Sequence, residues 1–215
     1  QYDYSYFNKA DAIITVSSRC VQSVVNVHPK LKDKVICIEN IHSELLIRKM
    51  AVSGTADEFD DKESYIKIVS IGRITDVKRF DRAVEAAKIL KDRGIKFIWL
   101  LLGCGDLENK IKELIKKLDL EREFILVGVK SNPYTYINNA DIFVQTSDNE
   151  GKSMVIDEAK ILKKPIVVTN YKTVLDVIKN GENGLLADFT PESVAEKIMM
   201  LINDTRLRDK IISNL

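Results

Sequence analysis

The sequence predicts an α/β fold with a Rossmann-like, doubly wound parallel sheet. Short β-branched runs alternate with amphipathic helical patterns along almost the whole chain. Most of these runs are continuously apolar, as expected of parallel strands that helices cover on both faces. Repeated β-α-β units imply right-handed crossovers, which place helices on the two sides of one sheet.

The individual elements follow from this pattern. Helices are predicted over 80–92 and 106–118, where apolar residues recur at helical spacing, and over 191–204 and 205–215. The candidate strands are 12–16, 35–38, 66–71, 97–102, 124–127, 141–145 and 165–169.

Composition excludes several classes of protein. Lys and Arg (33) nearly balance Asp and Glu (32), so no basic excess points to nucleic acid or to a membrane surface. The three cysteines, Cys20, Cys37 and Cys104, lie far apart, which favours reduced thiols in the cytosol. The chain has no signal peptide and does not begin with Met, and we expect it to be a fragment of a longer protein.

The chain divides at a polar, acidic stretch, residues 53–64, which we predict to be a linker. Residues 1–52 hold too few elements for a core of their own and are predicted to be the end of a preceding domain. Residues 65–203 form the predicted Rossmann-like domain, and residues 204–215 a C-terminal helix.

Ligands of open α/β sheets bind at the carboxyl ends of the strands, and a cationic loop follows the strand that ends at Ile71. Gly72 permits a tight turn there, and Arg73 and Lys78 could clamp a phosphate or diphosphate. The alternative is a solvated basic loop, which is the interpretation we give to the neighbouring Arg79 and Arg82.

A second turn, at Gly103 and Gly105, follows the next strand. It lacks the third glycine of the dinucleotide-binding fingerprint, so a nicotinamide-dependent dehydrogenase is disfavoured. A tight turn is the simpler interpretation of this stretch.

The stretch EGKSMVIDEA (150–159) contains the most informative pair of acids, Glu150 and Glu158. A helix is predicted to begin near Gly151 or Lys152, where its free N–H groups would form an anion site. The buried stripe of this helix is predicted to centre on Val155, Ala159 and Leu162, with Ile156 beside it.

Glu158 is predicted at the edge of that stripe, whereas Asp157 and Lys160 are predicted to face solvent. A carboxylate among apolar neighbours needs a partner. The hydroxyls of a sugar or ribose would serve, and so would Lys163 or Lys164, and the sequence leaves both possibilities open.

The sequence does not indicate histidine-based catalysis, a catalytic nucleophile or a metal site. His28 and His42 are interpreted as surface or capping residues, and no nucleophile–base arrangement or metal-ligand spacing is evident.

The ordered series GRITDVKRFD, LLGCGD, SDNEGKSMVIDEAKILKKPIVVTN and NGENGLLAD resembles the donor half of retaining GT-B glycosyltransferases, in particular glycosyltransferase family 4. The resemblance covers about residues 11–204, and its most specific element is the pair Glu150 and Glu158. It is closest to bacterial members that build capsule, exopolysaccharide or other surface glycans.

The resemblance implies a set of roles. Arg73 and Lys78 would hold the donor diphosphate, Glu150 would contact the donor sugar, and Glu158 would bind the ribose. The catalytic residues would be Glu150, Arg73 and Lys78, and the donor-binding residues Gly72, Arg73, Lys78, Gly103, Val129, Lys130, Glu150, Gly151, Lys152, Ser153, Met154, Val155 and Glu158.

The resemblance also implies a substrate and partners: a UDP- or GDP-sugar as donor, a glycan or lipid-linked acceptor, and retention of configuration without a metal ion or other cofactor. The enzyme would be cytoplasmic, and any contact with the inner membrane would be made through the absent N-terminal domain. Lys152-Ser153 departs from the Phe-Gly that members often carry, which leaves open a lysine contact to phosphate or to an acidic sugar, or a solvated lysine. Alternatives of other kinds are a non-catalytic partner subunit of the same fold and a nucleotide-sugar epimerase.

Overall fold

The computed structural model describes residues 5–59 and 64–215, and their strands form two parallel sheets. The smaller sheet pairs β1 (Ile13–Thr15) with β2 (Val35–Cys37). The larger sheet contains β3 (Ile66–Ile71), β4 (Phe97–Leu102), β5 (Phe124–Gly128), β6 (Ile142–Gln145), β7 (Ile166–Thr169) and β8 (Leu185–Ala187).

The strand order of the larger sheet is β5-β4-β3-β6-β7-β8, and all neighbouring strands are parallel. The chain first adds strands on one side of β3 and then returns to add β6 on the other. This reversal defines a doubly wound sheet with a switch point between β3 and β6. The predicted fold class is confirmed.

Helices cover both faces of this sheet. The helices of the described residues are α1 (Ser5–Lys9), α2 (Ser18–Val27), α3 (Glu44–Ala51), α4 (Phe80–Asp92), α5 (Glu108–Lys117), α6 (Pro133–Asn139), α7 (Met154–Ile161), α8 (Pro191–Asn203) and α9 (Thr205–Ser213). One apolar core lies beneath α4, α5, α8 and α9, and the other beneath α3, α6 and α7. No helix of the described residues is both long enough and apolar enough to cross a membrane.

The interior strand β4 shows how the two cores are divided. All its side chains are buried, and alternate residues enter opposite cores: Trp99 lies in one, and Ile98 and Leu100 lie in the other. The indole nitrogen of Trp99 donates to Ser70 Oγ at 3.0 Å, and that hydroxyl donates to the Val144 carbonyl at 2.6 Å. These two bonds link β4, β3 and β6 across the switch point.

The predicted elements agree well with the observed ones. The seven predicted strands are present, and the helix over 80–92 has the predicted bounds. Strand β8 was not predicted, because its residues, LLA, include no β-branched side chain and follow the turn-forming residues NGENG. Residues 1–4 of the predicted N-terminal segment and 60–63 of the predicted linker lie outside the described residues.

The segment before the linker packs closely on the larger sheet. Ile47 and Ala51 of α3 are buried in the core that α6 and α7 share. Asn132, at the start of α6, donates its amide to the Met50 carbonyl at 2.8 Å. The N-terminal segment therefore reaches the elements that carry the candidate site.

Candidate functional site

The predicted site residues gather around the switch point. One loop, residues 72–79, follows β3, and a second loop, residues 146–153, follows β6. The carboxyl ends of two strands that lead in opposite directions around a sheet leave a crevice between their loops. The topology thus places the cationic loop and the EGKS stretch side by side.

Lys78 and Glu150 form an ion pair across this crevice. Lys78 Nζ lies 2.6 Å from Glu150 Oε1, and both side chains are largely buried. The same oxygen accepts hydrogen bonds from Gln145 Nε2 at 3.0 Å and from Ser147 Oγ at 2.7 Å. Three donors therefore fix the Glu150 carboxylate in one orientation.

The backbone of the EGKS loop is also held. Thr173 donates its hydroxyl to the Glu150 carbonyl at 2.6 Å, and Ser17 donates to the Gly151 carbonyl at 3.2 Å. Gly151 packs against Val16, which the N-terminal segment supplies. The loop is thus built into both parts of the chain.

Helix α7 begins at Met154, so the predicted start near Gly151 or Lys152 is wrong by two or three residues. Ser153 occupies the N-cap position, but its hydroxyl donates to Gln145 Oε1 at 2.7 Å and caps no helix N–H. A helix start without a side-chain cap presents its first N–H groups to a ligand, and an anion suits them best.

A cleft of about 280 Å³ opens next to Lys78, whose side chain lies against the lining residue Gly72. Its lining combines the ends of β3, β4 and β5, and it includes five of the predicted donor-binding residues: Gly72, Arg73, Gly103, Val129 and Lys130. Arg73 is exposed and has no acidic partner among residues 5–59 and 64–215. Its guanidinium is therefore available to an anion.

The wall of the cleft depends on Gly103. This residue has φ of 136°, and a Cβ atom there would overlap the carbonyl oxygen of Gly72. Only glycine permits this approach of the two loops. The turn interpretation of this stretch is confirmed, and the turn also fixes the width of the cleft.

Val129 and Lys130, two of the predicted donor-binding residues, differ in how firmly their side chains are held. Val129 is 71% exposed. Lys130 is held by Glu58, at 2.7 Å, and lies over the ring of Tyr136. These contacts raise the pKa of Lys130, because the charged form gains partners.

Glu158 is 8% exposed and accepts a hydrogen bond from Tyr134 Oη at 3.3 Å. Burial raises the pKa of Glu158, although the charge of His42 and the Tyr134 hydroxyl oppose this shift. The alternative that paired Glu158 with Lys163 or Lys164 is wrong, since the observed partner is Tyr134. The ribose-binding role stays a prediction.

The packing of α7 corrects other expectations. Ile156 and Ala159 are fully buried and Leu162 is nearly so, whereas Val155 is only partly covered, so the stripe is rotated from the predicted centre. Asp157 was predicted to be solvated, but its side chain is only 17% exposed. The N-terminal segment covers it, which the helical pattern of α7 alone could not reveal.

Lys152 is also not solvated. Its side chain is 10% exposed, and Nζ lies 2.7 Å from Glu39 Oε2 and 3.7 Å from Asp157 Oδ2. Burial lowers the pKa of Lys152, but these two acids outweigh burial and raise it. His42, interpreted above as a surface or capping residue, lies 3.5 Å from the same Asp157 oxygen with 11% of its side chain exposed.

Arg82 is a further correction, because the sequence interpretation left it in solvent. It is 3% exposed and donates to the Thr146 carbonyl at 2.6 Å and to Asp148 at 2.7 Å. Arg79 pairs with Asp81 and with the same Asp148. These two arginines therefore brace the loop after β6.

Sequence reasoning missed the residues that support the site. Gln145, Ser147, Thr173 and Tyr134 bind the two glutamates or their loop, but each is an ordinary polar residue without a distinctive spacing. Only Gln145 could have been predicted as a site residue, because it stands at the carboxyl end of a strand. Within the described ranges, no group of three or more His, Cys, Asp or Glu side chains is arranged to hold a metal ion.

Fold and site together define a glycosyltransferase domain of the GT-B class. The chain belongs to the glycosyl transferases group 1 family, whose model matches residues 55–215. The capsular polysaccharide biosynthesis glycosyltransferase CapM of Staphylococcus aureus is 29% identical over 91% of this chain and 56% of its own length. The poly(ribitol-phosphate) alpha-N-acetylglucosaminyltransferase of S. aureus is 33% identical over 64% of this chain and 29% of its own length.

Solved structures support the fold. The C-terminal domain of a group 1 glycosyl transferase, LpcC of Francisella tularensis, has a TM-score of 0.65 at 27% identity, covering 76% of this chain and 89% of that domain. Anabaena HepE with UDP and glucose has a TM-score of 0.82 at 19% identity, covering 95% of this chain and 57% of HepE. The chain thus spans about half the length of relatives such as CapM and HepE.

Proposed function

We propose that this chain is the donor-binding part of a retaining glycosyltransferase that moves a sugar from a UDP- or GDP-sugar to a glycan or lipid-linked acceptor. The product would belong to a bacterial capsule, exopolysaccharide or other surface glycan. The names of relatives in capsular polysaccharide biosynthesis and in amylovoran biosynthesis support this choice of product.

One observation carries the proposal: Arg73 and Gly72 line a cleft, and Lys78 lies against Gly72 while it pairs with Glu150, just before the uncapped start of α7. Two cations and free helix N–H groups match the charge of a diphosphate. Glu150 then offers carboxylate oxygens to sugar hydroxyls, and Glu158 offers them to ribose hydroxyls.

In the proposed reaction, the bond between the sugar C1 atom and the β-phosphate oxygen breaks while the acceptor oxygen bonds to C1 on the same face. The acceptor proton passes to the departing phosphate oxygen, so no enzymic base is needed. Arg73 and Lys78 stabilise the negative charge that grows on the diphosphate, which is the role a metal ion has in other transferases. We propose that the reaction is independent of metal.

We further propose that another domain of a longer protein supplies most acceptor contacts. Ile14 and Ile36 on the smaller sheet, and Ile38 just after it, are about half or more exposed. A two-stranded sheet with apolar side chains in solvent is unstable alone. Its completion by further strands would remove this surface. The proposed enzyme is cytoplasmic, and any contact with the inner membrane would come through that domain.

Isothermal titration of this chain with UDP and GDP tests the donor role. Micromolar to millimolar binding of one of them is expected, and it should not change when EDTA is added. If neither this chain nor the longer protein binds any nucleoside diphosphate, the proposal is wrong.

A turnover assay of the longer protein, with a donor and an acceptor extract, separates a transferase from a non-catalytic subunit. Rearrangement of the donor in the absence of acceptor would indicate an epimerase.

A further inference from the structure

An ion cluster joins the N-terminal segment to the EGKS loop. It consists of Glu39 and His42, which lie between β2 and α3, together with Lys152 of the loop and Asp157 of α7. Lys152, His42 and Asp157 are all at least four-fifths buried as side chains, and Glu39 is 64% exposed.

Asp157 is the centre of this cluster. Its Oδ2 atom lies 3.5 Å from His42 Nε2 and 3.7 Å from Lys152 Nζ, so one carboxylate oxygen faces groups from both parts of the chain. Charges that are shielded from water interact more strongly than charges at the surface. The ion pair between Lys152 and the exposed Glu39 is shorter, but it contributes less to stability because water screens it.

The cluster directs Lys152 away from the cleft. Lys152 does not line the cleft of Gly72 and Arg73, and its Nζ is committed to two acids. Release of Lys152 toward a phosphate would leave Asp157 buried with less compensation, which is unfavourable. The residue at this position is therefore better suited to hold the loop than to bind the donor.

We propose that Asp157 and Lys152 are positioning residues. They fix the backbone of Gly151–Met154 against segment 39–42, and so keep the amides at the start of α7 in place for the donor. The effect on donor binding rests on the proposed function, whereas the effect on the loop does not.

Hydrogen exchange of this chain tests the loop through the helix that follows it, with Asp157→Asn and Lys152→Met as variants of similar shape. The loop amides are free, so the readout is the hydrogen-bonded amides of α7 at residues 158–161. Both variants should speed their exchange by roughly 3- to 10-fold and leave the β4 amides unchanged. Lys152→Arg, which keeps the charge, should retain most of the protection.

The matched control is Asp176→Asn. Asp176 also binds the N-terminal segment, through Arg19 at 2.7 Å, but it makes no contact with Lys152 or Asp157. This variant should leave the exchange of the amides at residues 158–161 unchanged. Equal exchange of these amides in Asp176→Asn and Asp157→Asn, or no change in Asp157→Asn, would overturn the proposal.

A double-mutant cycle completes the test. Because Asp157 and Lys152 act through one contact, the double variant should weaken UDP binding no more than the worse single variant does. Each single variant is expected to raise the Kd for UDP roughly 3- to 10-fold. Fully additive losses would contradict a shared role.

The two proposals can fail separately. Absence of UDP binding by the unmodified chain would contradict the proposed function, while the exchange experiment would still decide on the positioning role.

Discussion

Lys78 and Glu150 are 72 residues apart in the chain, yet Lys78 Nζ and Glu150 Oε1 lie 2.6 Å apart. The pair connects the loop after β3 to the loop after β6. Under the proposed function, Lys78 would contact the Glu150 carboxylate and also a phosphate of the donor. Its replacement should therefore affect both stability and donor binding.

Replacing Lys78 by Met should weaken UDP or GDP binding at least about tenfold, because a charge-assisted contact to phosphate is lost. It should also lower the free energy of unfolding by about 1–3 kcal/mol, since Glu150 loses its cation. Titration calorimetry and urea unfolding measure the two effects. Lys117→Met, at the exposed end of α5, is the control and should change neither. Unchanged nucleotide affinity in Lys78→Met would remove Lys78 from the donor site.

Glu158→Gln should separate stability from binding. The folded-state pKa of Glu158 is raised above its ordinary value of 4.5, so the folded chain keeps a proton that the unfolded chain loses. Its contribution to stability is fully present below 4.5 and is lost as the pH rises through the folded-state pKa. At pH values above the folded-state pKa, the free energy of unfolding of the Gln variant should exceed that of the parent by about 1 kcal/mol. Below pH 4.5 this difference should vanish.

The same variant should bind nucleotide more weakly, since an amide replaces one of the ribose acceptors. Glu158→Ala should likewise weaken nucleotide binding more than Asp157→Ala does. Asp157 is not an inert comparison, because it contacts His42 and Lys152. Exposed Glu113→Ala is the better control. Equal losses in the Glu158 and Glu113 variants would argue against a ribose site.

Gly103→Ala should be strongly destabilising and should abolish nucleotide binding. Its φ of 136° is unfavourable for alanine, and the new Cβ would overlap Gly72 and push the two loops apart. Gly94→Ala is the matched control: Gly94 also has positive φ, but no atom lies within 4 Å of its added Cβ. Gly94→Ala should lower the free energy of unfolding by about 1 kcal/mol and leave nucleotide binding unchanged. Thermal unfolding and calorimetry decide, and similar behaviour of the two variants would exclude the steric explanation.

Arg82→Met should cost about 2–4 kcal/mol in urea unfolding, because the Thr146 carbonyl and Asp148 lose a buried donor. Arg79→Met should cost less, since Arg79 is about one-third exposed and shares Asp148 with Arg82. A larger loss in Arg79→Met would show that the surface pair, and not the buried arginine, braces the loop.

The sequence predicted the elements that repeat and the residues that stand at strand ends. Continuous apolar runs identified β3 to β7, and their parallel order implied the crevice in which Lys78 and Glu150 meet. Strand β8 was not found, because it is short and lacks the β-branched residues that mark the equally short β1 and β2.

The sequence could not show which side chains the N-terminal segment covers. Asp157 has the helical position of a surface residue, and only the packing of His42 and Lys152 against it makes it buried. The burial of Arg82 was missed because its partners, Thr146 and Asp148, are also distant, more than sixty residues away in the chain. Long-range partners of charged residues leave no trace in local periodicity.

The strand order also has a consequence for synthesis in the cell. A ribosome releases the loop after β3 well before Glu150 leaves the exit tunnel, and β4 and β5 can pair with β3 in the meantime. Until β6 arrives, the open side of β3 is an unpaired edge, and Lys78 has no carboxylate beside it. The nascent chain therefore passes through a stage with an unpaired strand edge, and, under the proposed function, a nucleotide would stabilise the chain only after β6 has docked.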